Sequence, residues 1–205
     1  MSTVVSQEHT FIGHLKRLVK EQDRGALAAL RRGLGKPPGT AREMDRHVLP
    51  YLPSETGLPA STREKQENAY YQVGALFAYW HQGENSVAEN LPGNMGASLR
   101  ALVDRETAEG RGREDAEKRV ERHLVALLNC HQDDLPDHLR HTIGLLKSKD
   151  IPINWLQLLN DVQSWHWESR DVQRSWARQF WRNFQGGKET ANVPDKETIE
   201  ENEEE

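Results

Sequence analysis

Apolar residues recur along this chain three and four positions apart, the spacing that lines one face of an α-helix. Alternating runs of the kind that build strands are nearly absent. The stripe Phe11, Leu15 and Leu18 predicts a first helix over 7–22, and Asp23 is placed to cap a second over 23–32. Gly33, Gly35, Pro37 and Pro38 then break the pattern. Thr40 and Glu43 have capping-box spacing and open a short helix to Leu49, after which Pro50, Pro53, Gly57 and Pro59 make a loop. Ser61 and Glu64 repeat that spacing and open a long helix to Trp80, with Ala69, Val73, Leu76, Phe77 and Trp80 as its buried stripe. Three more helices follow over 97–107, 113–131 and 134–147. Asn154 and Gln157 fit a further capping box, with Ile153 and Leu158 as its hydrophobic staple. Ser169 is placed to cap the last helix.

That last helix carries two rows. Val172, Trp176, Phe180 and Phe184 recur every four residues, and Arg170, Arg174, Arg178 and Arg182 recur at the same interval, offset by two. At about 100° per residue the two rows lie nearly opposite one another. The aromatic row packs inward. The arginine row requires an acidic neighbour or an anionic partner, because like charges four apart repel by a few tenths of a kcal/mol. The fold class is therefore all-α, with about nine helices in two packed bundles. The expected division is an N-terminal bundle over 1–82, a connector over 83–96, a C-terminal bundle over 97–185 and a disordered acidic tail over 186–205.

Composition changes this picture in one respect. The 205 residues carry a net charge of −5, with 36% hydrophobic and 29% charged residues, enough for a modest core. The segment from Gly186 onward holds two lysines and eight acids, so residues 1–185 carry 25 basic and 24 acidic groups, a net of +1. The tail reads as a solubilising segment or as an internal competitor for basic surface. Cys130 is the single cysteine, which rules out a disulfide framework and predicts a reducing compartment, the cytoplasm. No run approaches the ~18 apolar residues a membrane span needs, and no signal peptide is visible.

Catalytic chemistry finds little support. Gly33-Leu-Gly-Lys36 is followed by two prolines and does not follow a strand, so it is no phosphate loop. Cys130 lacks a base and an orienting group in the pattern. His131, His138 and His141, with Asp134 and Asp137, match no metal-binding spacing and read as surface histidines. No cofactor or metal is expected. The six tryptophans fall at helix-core spacing.

The basic residues form four groups: Lys16, Arg17, Lys20 and Arg24; Arg31 and Arg32; Arg100 to Arg122; and Arg140 with Lys147, Lys149 and the arginine row of the last helix. Arginine predominates, and its planar fork suits bidentate phosphate contact. The groups could merge into a track for a phosphate backbone. They could equally be an ordinary salt-bridged surface, since Asp104, Glu106, Glu114, Asp115, Glu117, Glu121 and Asp171 lie within a turn of many of them.

Two stretches go beyond generic pattern. One is Asp23-Arg-Gly-Ala-Leu-Ala-Ala-Leu-Arg-Arg32, and the other is the series Asp134-Leu-Pro-Asp-His-Leu-Arg140, Pro152-Ile-Asn-Trp155, Asp161, Trp165 and Val172 through Trp176 to Phe180-Trp181. With Ser98-Leu-Arg-Ala-Leu102 and Arg119 to Leu128 between them, the chain over roughly 7–184 resembles the CasB family, the small subunit of the type I-E CRISPR Cascade surveillance complex. The resemblance implies an all-helical, non-catalytic subunit present as two head-to-tail copies. Its implied partners are the other Cascade subunits (backbone, large and guide-end), a second copy of itself, the CRISPR RNA, the target DNA and the displaced single strand. No membrane is involved.

Residue by residue, Arg31 and Arg32 match the family's arginine pair, and Arg63 falls at the start of its long helix. Arg100, Arg119, Arg140 and Arg170 fall at basic positions of the C-terminal series. Charge and helix face add Lys16, Arg17, Lys20 and Arg24. The stripe alone adds Arg174 and Arg178. Two functions compete: a clamp that stabilises the R-loop and displaced strand through sequence-blind backbone contact, and a structural spacer between other subunits. A metal-dependent nuclease is a distant third.

Overall fold

The computed structural model describes residues 6–53, 59–83 and 91–182. The tail 186–205, Phe184 and residues 84–90 of the 83–96 connector lie outside the described residues. Among those described there are nine α-helices, a single 3₁₀ turn at Leu49–Tyr51 and no strand. The helices are α1 (Gln7–Lys20), α2 (Arg24–Arg32), α3 (Arg42–Val48), α4 (Ala60–Trp80) and α5 (Met95–Ala108), then α6 (Arg113–Asn129), α7 (Leu135–Lys147), α8 (Trp155–Ser164) and α9 (Asp171–Trp181).

Each helix starts where local chemistry supplies its orphan amide donors with acceptors, or fails to. The Asp23 carboxylate accepts from the Ala26 amide at 2.9 Å, and the Asn154 side chain accepts from the Gln157 amide at 3.1 Å, as the spacing predicts. Asn94 caps α5 in the same way, accepting from Ala97 at 3.2 Å. The other three expected caps do not form. The Thr40 hydroxyl donates back to the Pro37 carbonyl and closes a turn. Pro59 stands at the cap position of α4, so that helix starts ahead of Ser61. The Ser169 hydroxyl donates to the Asp171 carboxylate, and Arg170 takes the cap position in left-handed geometry, φ 50°.

The second half of α4, from Ala69 to Ala78, is buried on nearly every side, so α4 is the central post of the molecule. Helices α1, α2, α3, α7 and α8 pack around it. Helix α8 comes after the 83–96 segment in sequence, yet it packs on α4 and α1; Trp155 meets Phe77 edge-on with ring centroids 5.3 Å apart. The other group forms around α5, which packs on α6 and α9. The two groups share one contiguous apolar core.

Helix α9 is positioned by three devices. Val172, Trp176 and Phe180 are buried as a row. The Trp176 Nε1–H donates to the buried Asp161 carboxylate at 2.6 Å, and the Gln157 amide donates to its other oxygen at 2.9 Å. Gly96 of α5 lies against the α9 backbone, so close that a Cβ there would sit 1.9 Å from the Trp176 carbonyl oxygen. Five tryptophans are buried or half-buried as their spacing predicts, whereas Trp167, in the turn between α8 and α9, is 54% exposed.

Candidate nucleic-acid interface

The basic residues divide according to whether the fold gives them a carboxylate. On α1 and α2 the stripes Phe11, Leu15, Leu18 and Leu27, Leu30 face the core, which turns the intervening cations outward. Arg17, Lys20 and Arg24 are exposed, while Lys16 and Arg31 are half-buried. None of these five has an ion-pair partner among the described residues. Arg17 lies 3.5 Å from the His14 imidazole, which stacks on Tyr51 with ring centroids 4.7 Å apart. Burial, then the His47 and Arg17 charges, hold the His14 pKa below its ordinary value, so that ring adds no charge at neutral pH.

Arg31 and Arg32, adjacent in sequence, have different fates. Successive residues point about 100° apart on a helix. Arg32 turns toward α3 and pairs with Glu43, while Arg31 turns toward the end of α4.

The third group, which includes Arg100 and Arg119, forms an internal clasp between α5 and α6. Arg100 is 5% exposed and pairs with Glu117 at 3.3 Å and Asp104 at 3.6 Å. Arg119 pairs with Glu106, a carboxylate only 2% exposed that also takes Arg111 at 3.2 Å. Arg113 closes the cluster on Glu117 and Asp104. A buried carboxylate stays ionised only where cations surround it, so these arginines are committed to holding α5 on α6. Arg100 thus lies inside the clasp, and Arg119, half-buried, stands at its edge.

The fourth group is mixed. Arg140 is exposed but lines a groove of about 580 Å³ that Glu64, Glu67, Asp133 and Asp137 also line. Lys147 donates to the Tyr79 and Gln82 carbonyls, at 2.9 and 3.2 Å, and closes the C-terminal end of α4. Lys149 pairs with Glu109. Arg170 is not on the α9 face: from its left-handed position it donates to the Leu128 carbonyl. Arg174 pairs with Asp171. Arg178 is exposed with no ion pair among the described residues, and Arg63 is exposed in the first turn of α4.

Among the described residues no three His, Cys, Asp or Glu side chains gather as metal ligands. None of the described helices is long and apolar enough to cross a membrane. Burial, then the Asp134 charge, raises the Cys130 thiol pKa, the opposite of what a nucleophile needs. One feature gave no sequence signal: His81, just beyond α4, is 4% exposed, and neither ring nitrogen has a hydrogen-bond partner among the described residues.

Fold and site together define a helical protein with a basic face on α1 and α2, five of whose cations have no ion-pair partner among the described residues, and a clasp of ion pairs between α5 and α6. The chain belongs to the CRISPR-associated protein Cse2 family, whose model matches residues 26–181. The CRISPR-associated protein Cse2 of Thermus thermophilus is 30% identical over 178 residues, covering 86% of this chain and 91% of that protein. The crystal structure of CasB from M. ruber superposes with a TM-score of 0.67 at 26% identity, covering 92% of this chain and 99% of that one. A chain of a CRISPR RNA-guided surveillance complex, pre-nicking, superposes with a TM-score of 0.69 at 26% identity, covering 91% and 98%. The resemblance to CasB read from Asp23–Arg32 and the C-terminal series is thereby established.

Proposed function

We propose that this chain is the non-catalytic small subunit of a CRISPR RNA-guided surveillance complex of the Cascade type, and that its α1–α2 face holds nucleic-acid backbone. The observation that carries this reading is the set Lys16, Arg17, Lys20, Arg24 and Arg31, five cations on adjoining helices without a carboxylate partner among the described residues. Membership of the Cse2 family, and the likeness to a chain of such a complex, support it. Opening a duplex against a guide RNA is nearly balanced in energy, so modest contacts to the displaced strand tip the exchange. Only charge is needed, and affinity is blind to sequence. The protein acts in the cytoplasm with the other Cascade subunits and a second copy of itself. CRISPR RNA, target DNA and the displaced strand are its nucleic-acid partners.

Salt titration of single-stranded DNA binding tests this. Arg31→Ala flattens the dependence of log K on log salt by about 0.7, the value of one single-strand phosphate contact. Arg32→Ala changes it less, because Glu43 already holds that guanidinium. The charge-reversed variant Arg17→Glu, Lys20→Glu, Arg24→Glu binding as tightly as the parent at low salt would refute the reading.

A structural spacer is the second reading, favoured by one observation: Trp167 stands 54% exposed. A large exposed indole is a common anchor between proteins. Trp167→Ala that blocks assembly with the other subunits while sparing strand binding assigns that turn to subunit contact.

A further inference from the structure

The turn between α1 and α2 faces the end of α4 across a cleft of about 360 Å³. Arg24 and Arg31 stand on one side of it, and His81 and Gln82 on the other. Neither arginine has an ion-pair partner among the described residues. His81 is almost wholly buried, and both of its nitrogens lack a hydrogen-bond partner among the described residues. Nearly every buried polar atom in a native interior is paired, so an imidazole with two orphaned nitrogens calls for a cause. Its ring lies against Phe77, with centroids 4.3 Å apart. Burial, then the Lys147 and Lys16 charges, push its pKa down to about 4. The ring is therefore neutral at physiological pH and carries one N–H donor.

We propose that this cleft binds a single phosphate group, held by the Arg24 and Arg31 guanidinium groups at its mouth and by the ring N–H of His81 at its base. The chemistry favours phosphate over a carboxylate. Two guanidinium forks and a third donor match an anion with several oxygens in three dimensions, whereas a carboxylate offers two oxygens in one plane. A neutral donor at the base suits the site, because a cation buried there would carry a desolvation cost of its own. Both His81 nitrogens are closed off from solvent, so the proposal requires the imidazole to turn about Cβ–Cγ when the anion enters. Lys16 and Lys147, close enough to depress the His81 pKa, add to the positive potential. The site depends on the preceding functional reading only for the origin of the phosphate.

Inorganic phosphate is titrated into the full chain at constant ionic strength while the ¹⁵N resonances of His81 are followed, with acetate as the comparison anion. The expected result is a saturable shift with phosphate and none with acetate. Arg31→Gln and His81→Phe each weaken phosphate about tenfold, the worth of one charge-assisted hydrogen bond. The exposed change Arg24→Gln serves as the independent variant should His81→Phe unfold the chain. Competition by an oligothymidylate without terminal phosphates identifies a backbone diester as the source; saturation by phosphate without such competition identifies a free phosphate. Unmoved His81 resonances, equal response to acetate, or a folded His81→Phe that binds phosphate as tightly as the parent overturns the proposal. Strand binding that survives such a failure leaves the α1–α2 track standing, and phosphate binding without strand binding does the reverse.

Discussion

Substituting Gly96 by alanine sets two effects of opposite sign against each other. By helix propensity alone, Gly→Ala in the first turn of α5 stabilises by at most about 1 kcal/mol. Yet the added Cβ would lie 1.9 Å from the Trp176 oxygen, 2.7 Å from its carbonyl carbon and 3.0 Å from its Cα. All three are backbone atoms, so no side-chain rotation relieves the clash. Ordinary contact begins near 3.4 Å, and α9 must therefore retreat by about 1.5 Å. That retreat stretches the Trp176–Asp161 hydrogen bond, now 2.6 Å, and the Asn94–Ser175 bond, now 3.1 Å. Overpacking of this kind costs about 1–3 kcal/mol, and each weakened bond adds about 1 kcal/mol. After the propensity gain, Gly96→Ala should destabilise by about 2–4 kcal/mol, a fall in Tm of about 5–12 °C for a chain of this size.

Gly13 supplies the control. It is exposed in α1, and nothing lies within 4 Å of its Cβ position. Gly13→Ala should therefore stabilise by about 0.5–1 kcal/mol. Urea and thermal unfolding of both variants, followed by circular dichroism, read the difference. If Gly96→Ala proves as stable as Gly13→Ala, the close approach of α5 and α9 is not what seats the last helix.

Glu106→Gln leaves Arg119 without its buried counter-charge and should cost about 3 kcal/mol in urea unfolding; a parent-like midpoint would mean the α5–α6 clasp contributes nothing. Acid sensitivity follows from His81, whose pKa falls from 6.5 to about 4 on folding. As pH drops, the unfolded chain takes up the proton first, so this contribution is intact above pH 6.5 and is lost progressively on the way down to pH 4. It amounts to about 3 kcal/mol. His81→Phe should show a correspondingly shallower acid slope in chemical denaturation, and identical slopes would refute the shift.

The helices were legible in the sequence because burial acts through period. Stripes such as Phe11–Leu15–Leu18 and Val172–Trp176–Phe180 survive whatever the rest of the chain does, since apolar area leaves water by the same rule everywhere. Caps were legible where the residue before the helix leaves the helical region and its side chain turns back onto the first-turn amides. Asn154 meets α8 with β-region dihedrals and caps it. Ser169 cannot do so for α9, because the chain turns through Arg170 in left-handed geometry, and only tertiary packing dictates that turn.

Charge obeys no such period. Long side chains reach across elements, so the partner that decides a cation's role lies far away in sequence: Glu106 for Arg119, Glu43 for Arg32, the Leu128 carbonyl for Arg170. A window of one turn sees one acid, Asp104, beside Arg100 and none beside Arg31, yet it cannot tell that Arg100 is buried and Arg31 lines a cleft. Net charge is equally blind. Residues 1–185 are nearly neutral, with 25 basic and 24 acidic groups. Inside that balance the α5–α6 clasp cancels charge locally, α1 and α2 keep theirs, and Glu64, Glu67, Asp133 and Asp137 line the groove by Arg140. The field at the α1–α2 face therefore comes from the separation of charge and not from its sum, and separation is what steers a polyanion. For that reason Arg31 is a stronger candidate contact than Arg140, although both are arginines that the family resemblance selects.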